Sequence, residues 1–113
     1  MVAQNKLLIA PPHAVEQALK TLGTNLRTAR LRRKMTIDDV AKRIGTGPRA
    51  VMDAEKGKPS TGVTVYMALL WVYDLLTPVE TLADPAKDKE GLAHESGKGR
   101  SRARKSGGLD NDF

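Results

Sequence analysis

The feature that most constrains this chain is a regular spacing of small, glycine and apolar residues over positions 37–56. Two short helices that cross steeply need a small side chain where their backbones approach, and Ala41 supplies it. A tight turn after the first helix needs a glycine, and Gly45 follows four residues later. Val51 and Ala54 then provide one apolar face on the second helix. The spacing predicts crossed helices at 37–44 and 48–56, and an ordinary helical hairpin is the alternative.

Helical patterns flank this pair on both sides. Upstream, apolar residues from Val15 to Ala29 recur at intervals of four and three, which predicts a helix over residues 13–33. Downstream, residues 63–76 are apolar nearly all round and predict a buried helix. Residues 79–83 predict a short final helix before Pro85. The predicted fold class is therefore all-α, with five helices.

The two ends of the chain are predicted to lie outside this helical domain of residues 13–85. Residues 1–12 form an N-terminal arm that ends in two prolines, and residues 86–113 form a polar, basic tail. From position 96 to position 108 the only apolar residue is Ala103, so this stretch is expected to be disordered. Three roles are open for its basic core, residues 98–105. It raises affinity for DNA through counterion release, it docks on an acidic partner, or it only confers solubility.

Composition limits the possible classes of function. The chain has 19 Lys and Arg against 13 Asp and Glu, a formal charge of +6. This favours nucleic acid as a partner first and an anionic membrane surface second. The absence of cysteine excludes disulfides, thiolate zinc sites and cysteine nucleophiles, and fits a reducing cytoplasm. Because the apolar stretch 63–76 is shorter than the ~20 residues of a membrane span, a soluble, cytoplasmic protein is expected.

The sequence carries no recognisable catalytic pattern. It has no glycine-rich phosphate loop and no Ser/His/Asp grouping with a known spacing. His13 and His94 lie far apart without accompanying ligands, so neither a metal nor a cofactor is expected. Asp38 and Asp39 are better explained as first-turn carboxylates, which the helix dipole favours. The expectation is a binding protein and not an enzyme.

Three segments carry a family resemblance. Residues 22–30 read Leu-Gly-x-Asn-Leu-Arg-x-Ala-Arg, residues 36–45 read Thr-x-x-Asp-Val-Ala-x-Arg-Ile-Gly, and residues 51–58 read Val-x-x-Ala-Glu-x-Gly-Lys. They resemble the Xre/Cro-type helix-turn-helix of phage repressors, over about residues 22–76. The resemblance implies a five-helix, lambda-repressor-like bundle that binds palindromic double-stranded DNA as a homodimer. The family commonly has Gln where this chain has Ile37, so Ile37 is expected to pack and not to contact DNA.

Two flanking segments resemble a narrower family. They are residues 47–61 and the ending Leu-Ala-Asp-Pro-x-x-Asp-x-x-Gly-Leu at residues 82–92, and they are similar to HipB-type regulators. Such a regulator represses its own operon and holds a HipA-like kinase toxin inactive. The resemblance therefore implies a repressor that is also an antitoxin. A stand-alone Xre-family repressor is the alternative, as is a protein-interaction adaptor on the same fold.

The outward face of the helix at 48–55 supplies the predicted base-reading residues. The apolar face of this helix is turned to the core, so four other residues face outward: Pro48, Arg49, Met52 and Asp53. Arg49 is the expected base reader, because guanidinium pairs bidentately with guanine O6 and N7; a solvated surface arginine is the alternative. Asp53 is expected either to accept a hydrogen bond from a cytosine amino group or to hold Arg49 in place through an i, i+4 ion pair. Met52 touches a thymine methyl or lies near the backbone.

Other residues are predicted to position this helix. Thr36, Lys56 and Lys58 are expected to meet phosphates, which set the register without reading sequence; for each residue alone, no DNA contact is the alternative. The resemblance further implies that Arg30 and Glu55 form a partly buried structural ion pair.

The helix at 63–76 has a second apolar face that is expected to form a subunit interface. Its predicted interface residues are Tyr66, Trp71, Val72 and Tyr73, and Trp and Tyr are enriched at interface hot spots. The alternative is that the first and fifth helices of the same chain cover this face.

Overall fold

The structure, a computed structural model, describes residues 5–99. Within this range the regular elements are all helical. Six are α-helices: α1 Lys6–Ile9, α2 His13–Arg32, α3 Ile37–Ile44, α4 Pro48–Glu55, α5 Val63–Val72 and α6 Lys89–His94. Short 3-10 turns cover Thr77–Thr81 and Pro85–Lys87, and a π turn covers Glu95–Gly99. The rest of the predicted tail, residues 100–113, lies outside the described residues.

Helices α2 to α5 all end in the same left-handed turn. At these four helix ends the residues with positive φ are Lys34 (56°), Gly45 (82°), Gly57 (68°) and Asp74 (60°). After each, the next N–H donates to the carbonyl five residues earlier, at distances from 2.7 to 3.3 Å. This 6→1 bond satisfies a carbonyl that the helix end would otherwise leave unpaired. Two of the four turns use glycine, which the sequence signals, and two use residues that give no such signal.

One apolar core joins α2, α3, α4 and α5. Its buried members are Leu26, Ala29, Val40, Ala41, Val51, Ala54, Tyr66, Leu69 and Tyr73. Leu19, Leu22, Ile37 and Ile44 are among the half-buried residues that pack around it. The small and apolar positions of the 37–56 pattern therefore lie in the core, and Ile37 packs against it.

Two glycines allow α2 and the end of α4 to approach closely. A Cβ atom on Gly23 would lie 2.6 Å from the carbonyl oxygen of Glu55. A Cβ atom on Gly57 would lie 2.5 Å from the carbonyl oxygen of Leu19. Both neighbours are backbone atoms, so neither contact can be relieved by a side-chain rotation. Only glycine fits at either position.

The structure departs from the predicted elements at both ends. Helix α5 ends at Val72 and not at position 76, because the left-handed residue Asp74 turns the chain. The predicted helix at 79–83 is instead the 3-10 turn Thr77–Thr81. The five-helix prediction also missed α1 and α6, whose first turns are capped by the side chains of Asn5 and Asp88. Neither α1 nor α6 buries a residue, so local caps shape them without a core.

The chain divides into two compact units, one ending at Leu76 and one beginning at Thr77. The first contains α1 to α5 and the core, and the second contains α6 among its described residues. The sequence had placed the end of the helical domain at position 85. Among the described residues, no helix combines the length and apolarity needed to cross a lipid bilayer.

Candidate nucleic-acid interface

The start of α3 is built by a reciprocal pair of hydrogen bonds. The Asp39 N–H donates to the Thr36 hydroxyl oxygen at 3.0 Å, and the Thr36 N–H donates to the Asp39 carboxylate at 2.9 Å. The backbone hydrogen bond from Thr36 lowers the pKa of Asp39. Thr36 is exposed, and its hydroxyl accepts in this arrangement, so the hydroxyl proton is available to donate to an anion outside the chain.

A short turn carries the chain from α3 to α4. Gly45 adopts φ +82°, and Gly47 is the N-cap of α4 in an extended conformation. Pro48 then occupies the first helical position, where its missing N–H costs no hydrogen bond. Pro48 and Gly47 are both exposed, so the N-terminal end of α4 is open to solvent.

Helix α4 divides cleanly into a buried and an exposed face. Val51 and Ala54 are fully buried, with 0% relative exposure. Arg49 is exposed and Met52 is 41% exposed, as the spacing predicted. Lys56, the residue after the helix, is exposed as well. The exposed face of α4 therefore carries positive charge at both ends and a thioether between them.

Asp53 does not lie as predicted. Its Oδ1 is 3.4 Å from the Lys58 ammonium, and its side chain is only 23% exposed. No ion pair among the described residues joins it to Arg49, so that predicted pair is wrong. The physical reason is the left-handed turn at Gly57, which brings Lys58 back over the last turn of α4. Asp53 therefore belongs to the loop contacts and not to the open face of the helix.

The end of α4 is tied to α2 by a buried ion pair. Arg30 Nε donates to Glu55 Oε2 at 2.7 Å and Nη2 donates to Oε1 at 3.1 Å, with side-chain exposures of 10% and 7%. Arg30 Nη1 also donates to the Met35 carbonyl at 3.0 Å. The hydrogen bond to Glu55 raises the pKa of Arg30, and burial opposes this shift. This bidentate geometry fixes the orientation of the two side chains as well as their distance, so it holds α4 in one orientation relative to α2.

The loop after α4 is held by three hydrogen bonds that meet at Lys58. Its N–H donates to the Asp53 carbonyl at 3.1 Å, and its own carbonyl accepts from Thr61 N–H at 3.1 Å and from the Tyr66 hydroxyl at 3.0 Å. Burial raises the pKa of Tyr66. The backbone at Lys58 is thus fixed while its side chain remains 45% exposed.

The predicted subunit-interface residues separate into two groups. Tyr66 and Tyr73 are buried in the chain's own core, at 4% and 1% exposure, so their assignment to an interface is wrong. Val72 is half-buried against the same core, whereas Trp71 is 61% exposed. Because α5 is apolar nearly all round, the three-to-four spacing of Tyr66, Leu69 and Tyr73 could not by itself mark the buried side.

The contacts made by Arg33 could not be predicted from any sequence pattern. Its guanidinium donates to the carbonyls of Ala29 and Tyr73, both at 2.9 Å. It also lies 5.4 Å from the centre of the Tyr73 ring, within the range of a cation–π contact. Arg33 therefore anchors the end of α5 to α2.

Two observations concern other kinds of site. In the described part of the chain, no three His, Cys, Asp or Glu side chains gather in a way that could hold a metal ion. A shallow polar depression of about 300 Å³ lies on the outer face of α2, lined by Gln17, Lys20, Thr21, Thr24 and Asn25. Because it is open and formed by one helix, it offers little enclosure to a small molecule.

Comparison with known proteins does not assign this chain to a family. The chain matches no family model, and no curated protein or solved structure compared with it gives a significant match.

Proposed function

We propose that this protein is a sequence-specific DNA-binding repressor that inserts α4 of a helix-turn-helix, formed by α3 and α4, into the major groove. The observation that carries the proposal is the division of α4, with Val51 and Ala54 fully buried and Arg49 and Met52 exposed. The major groove of B-DNA is wide enough to admit an α-helix presented in this way. The buried pair of Arg30 and Glu55 would keep that helix in register while it reads bases.

The charges around α4 suit this role. Arg49 lies in the first turn, where its guanidinium can pair with guanine O6 and N7. Thr36, Lys56 and Lys58 are exposed donors before and after the two helices, and donors of this kind bind phosphates and set the register. The formal charge of +6 adds a general attraction to nucleic acid.

We propose that two copies bind a palindromic operator together as a homodimer. Support comes from apolar side chains exposed on and just after α5: Val63 at 65%, Trp71 at 61% and Leu75 at 42%. Exposed apolar groups of this size on a small protein commonly mark a protein interface. A two-fold dimer would present two copies of α4 to two half-sites.

An antitoxin role is the narrower proposal, and it depends on residues 47–61 and 82–92. In the second unit Leu82 and Leu92 are 69% and 47% exposed, which suits contact with a partner protein such as a HipA-like kinase. The competing proposal, an adaptor that does not bind DNA, is disfavoured by the cationic surface of α4.

The DNA proposal is tested with the full-length protein and a random pool of duplexes. Bound duplexes are enriched, and affinities for the consensus are measured by titration. Arg49→Ala should cost about 1–3 kcal/mol at that site and relax the preference at one base pair. Arg32→Ala, which removes an exposed arginine from the end of α2, is the matched control. If no sequence is enriched, or if both variants lose the same amount of affinity, the proposal is contradicted.

The antitoxin role is tested by asking whether the adjoining reading frame encodes a kinase-like protein and by co-expressing its product with this chain. A stable complex is expected, and Leu82→Ser with Leu92→Ser should weaken it without changing operator affinity. Recovery of no kinase with the unaltered protein leaves a stand-alone repressor.

A further inference from the structure

The pair formed by Asp53 and Lys58 lies at the edge of the proposed DNA-binding surface. The two side chains approach to 3.4 Å between Oδ1 and Nζ. That carboxylate oxygen is covered by protein and has no hydrogen-bond partner among the described residues. The Lys58 ammonium is therefore the charge that compensates it, although the pair does not form an aligned hydrogen bond.

The surrounding loop limits how far Lys58 can move away from Asp53. The backbone of Lys58 is fixed at its N–H by the Asp53 carbonyl and at its carbonyl by the Tyr66 hydroxyl. Gly57, in a left-handed conformation, packs against the backbone of Leu19. Any release of the ammonium must come from the side chain alone, and that side chain is 45% exposed.

Lys56 provides an internal contrast. It belongs to the same loop and is also exposed, but it makes no ion pair among the described residues. A phosphate that binds Lys56 competes only with solvent. A phosphate that binds Lys58 must either displace the Asp53 carboxylate or bind beside it and meet its negative charge.

We propose that Asp53 restrains Lys58 and so lowers affinity for DNA of any sequence. This inference rests on the proposed DNA-binding function. Phosphate contacts contribute to all sequences alike, whereas base contacts from α4 contribute only at the operator. A carboxylate that weakens one phosphate contact therefore lowers operator affinity and non-specific affinity by the same factor and leaves their ratio unchanged.

The test measures binding to the consensus duplex and to a scrambled duplex over a range of salt concentrations. Asp53→Asn should raise affinity for scrambled DNA on the order of three- to tenfold at low salt. The slope of log affinity against log salt should steepen by about one. The gain on the consensus duplex should be of the same size, so the ratio of specific to non-specific affinity should stay unchanged.

Three further variants decide whether Asp53 acts through Lys58. In a Lys58→Gln background, Asp53→Asn should have little effect, because the ammonium it restrains is gone. In a Lys56→Gln background, its effect should persist. Glu16→Gln removes a carboxylate that also faces a lysine, Lys20 at 3.9 Å, but on α2 and outside the proposed surface, and it is the matched charge control.

Side-chain NMR of Lys58 provides a readout that does not involve DNA. Asp53→Asn should shift the Lys58 Nζ resonance and increase side-chain motion, and Glu16→Gln should leave both unchanged. If the unaltered protein binds no duplex, the proposed function and this inference both fall. If it binds DNA but Asp53→Asn acts equally with and without Lys58, or has no effect, only this inference is overturned.

Discussion

Helices α4 and α5 pack into the same core but expose different chemistry to solvent. Their inner faces are alike, since Val51 and Ala54 of α4 and Leu69 of α5 have 0% exposure. Their outer faces differ, because α4 exposes Arg49 where α5 exposes Trp71 at 61%. The common core holds both helices, and the difference between the outer residues is the basis on which we propose different partners: a polyanion for α4 and an apolar surface for α5.

The buried polar groups at the ends of these helices differ as well. Glu55, at the end of α4, accepts two hydrogen bonds from Arg30. Tyr73, just after α5, buries a hydroxyl that finds no hydrogen-bond partner in the part of the chain that the structure describes. A paired buried charge defines orientation, whereas a buried hydroxyl without a partner gives no directional contact and carries a desolvation cost. The end of α4 is therefore fixed by a paired charge, whereas the end of α5 is fixed by the bond from Arg33 to the Tyr73 carbonyl and not by the Tyr73 hydroxyl.

The largest expected effect comes from breaking the ion pair at the end of α4. Arg30→Met leaves the Glu55 carboxylate buried without its partner and should cost about 3–5 kcal/mol of stability. The free energy of unfolding is measured by denaturant titration followed by far-UV circular dichroism. Arg32→Met, on the exposed side of the same helix, should change it by less than about 0.5 kcal/mol. Similar losses for the two variants would show that the ion pair does not organise the end of α4.

The second prediction concerns the α5 side and alkaline pH. Burial raises the pKa of Tyr73 to about 12, against about 10 in an unfolded chain. The folded state therefore holds the Tyr73 hydroxyl proton more tightly than the unfolded state does. The stability that this proton contributes is complete below pH ~10 and is lost as the pH rises towards 12.

Tyr73→Phe isolates this contribution. At neutral pH it should change stability by less than about 1 kcal/mol, since the hydroxyl it removes is unpaired. From pH 9 to pH 12 the unaltered protein should lose up to about 2 kcal/mol of unfolding free energy, and Tyr73→Phe should not show this loss. Unfolding titrations across that range are the measurement, and an unchanged alkaline loss in Tyr73→Phe would contradict the assignment.

The smallest expected effect on folding tests the outer face of α5. Trp71→Ser should leave the free energy of unfolding of the monomer nearly unchanged but weaken self-association by about tenfold or more. Sedimentation over a concentration series measures this, with Val15→Ser, an equally simple loss of an exposed apolar side chain on α2, as the control. If the unaltered protein is monomeric at tens of micromolar, the exposed apolar groups of α5 do not form a dimer.

The bounds of α3 and α4 could be predicted because their signals are local. The Thr36 cap acts across three residues, and Gly45 and Pro48 fix the turn by their own conformational limits. The end of α5 could not be predicted in this way, since Asp74 adopts a left-handed conformation that aspartate seldom signals. The helix α6 was missed because its cap, Asp88, starts a segment with no apolar periodicity.

The candidate site shows the same division. Exposure of Arg49 and Met52 followed from the burial of their neighbours on a helix of known period. The partner of Asp53 did not, because it depends on where the loop after α4 places Lys58. Sequence spacing offered Arg49 as the partner, and the left-handed turn at Gly57 brought in Lys58 instead.

By itself, the sequence determined where α2, α3 and α4 begin and which residues of α4 face inward, because caps, glycines and a three-to-four residue period act within one or two turns of helix. Only the tertiary structure decided which side of α5 is buried. That helix is apolar on every side, so its own pattern cannot distinguish Tyr66 and Tyr73 from Trp71. The choice depends on which side meets α3 and α4, a contact between segments distant in sequence that no local rule contains.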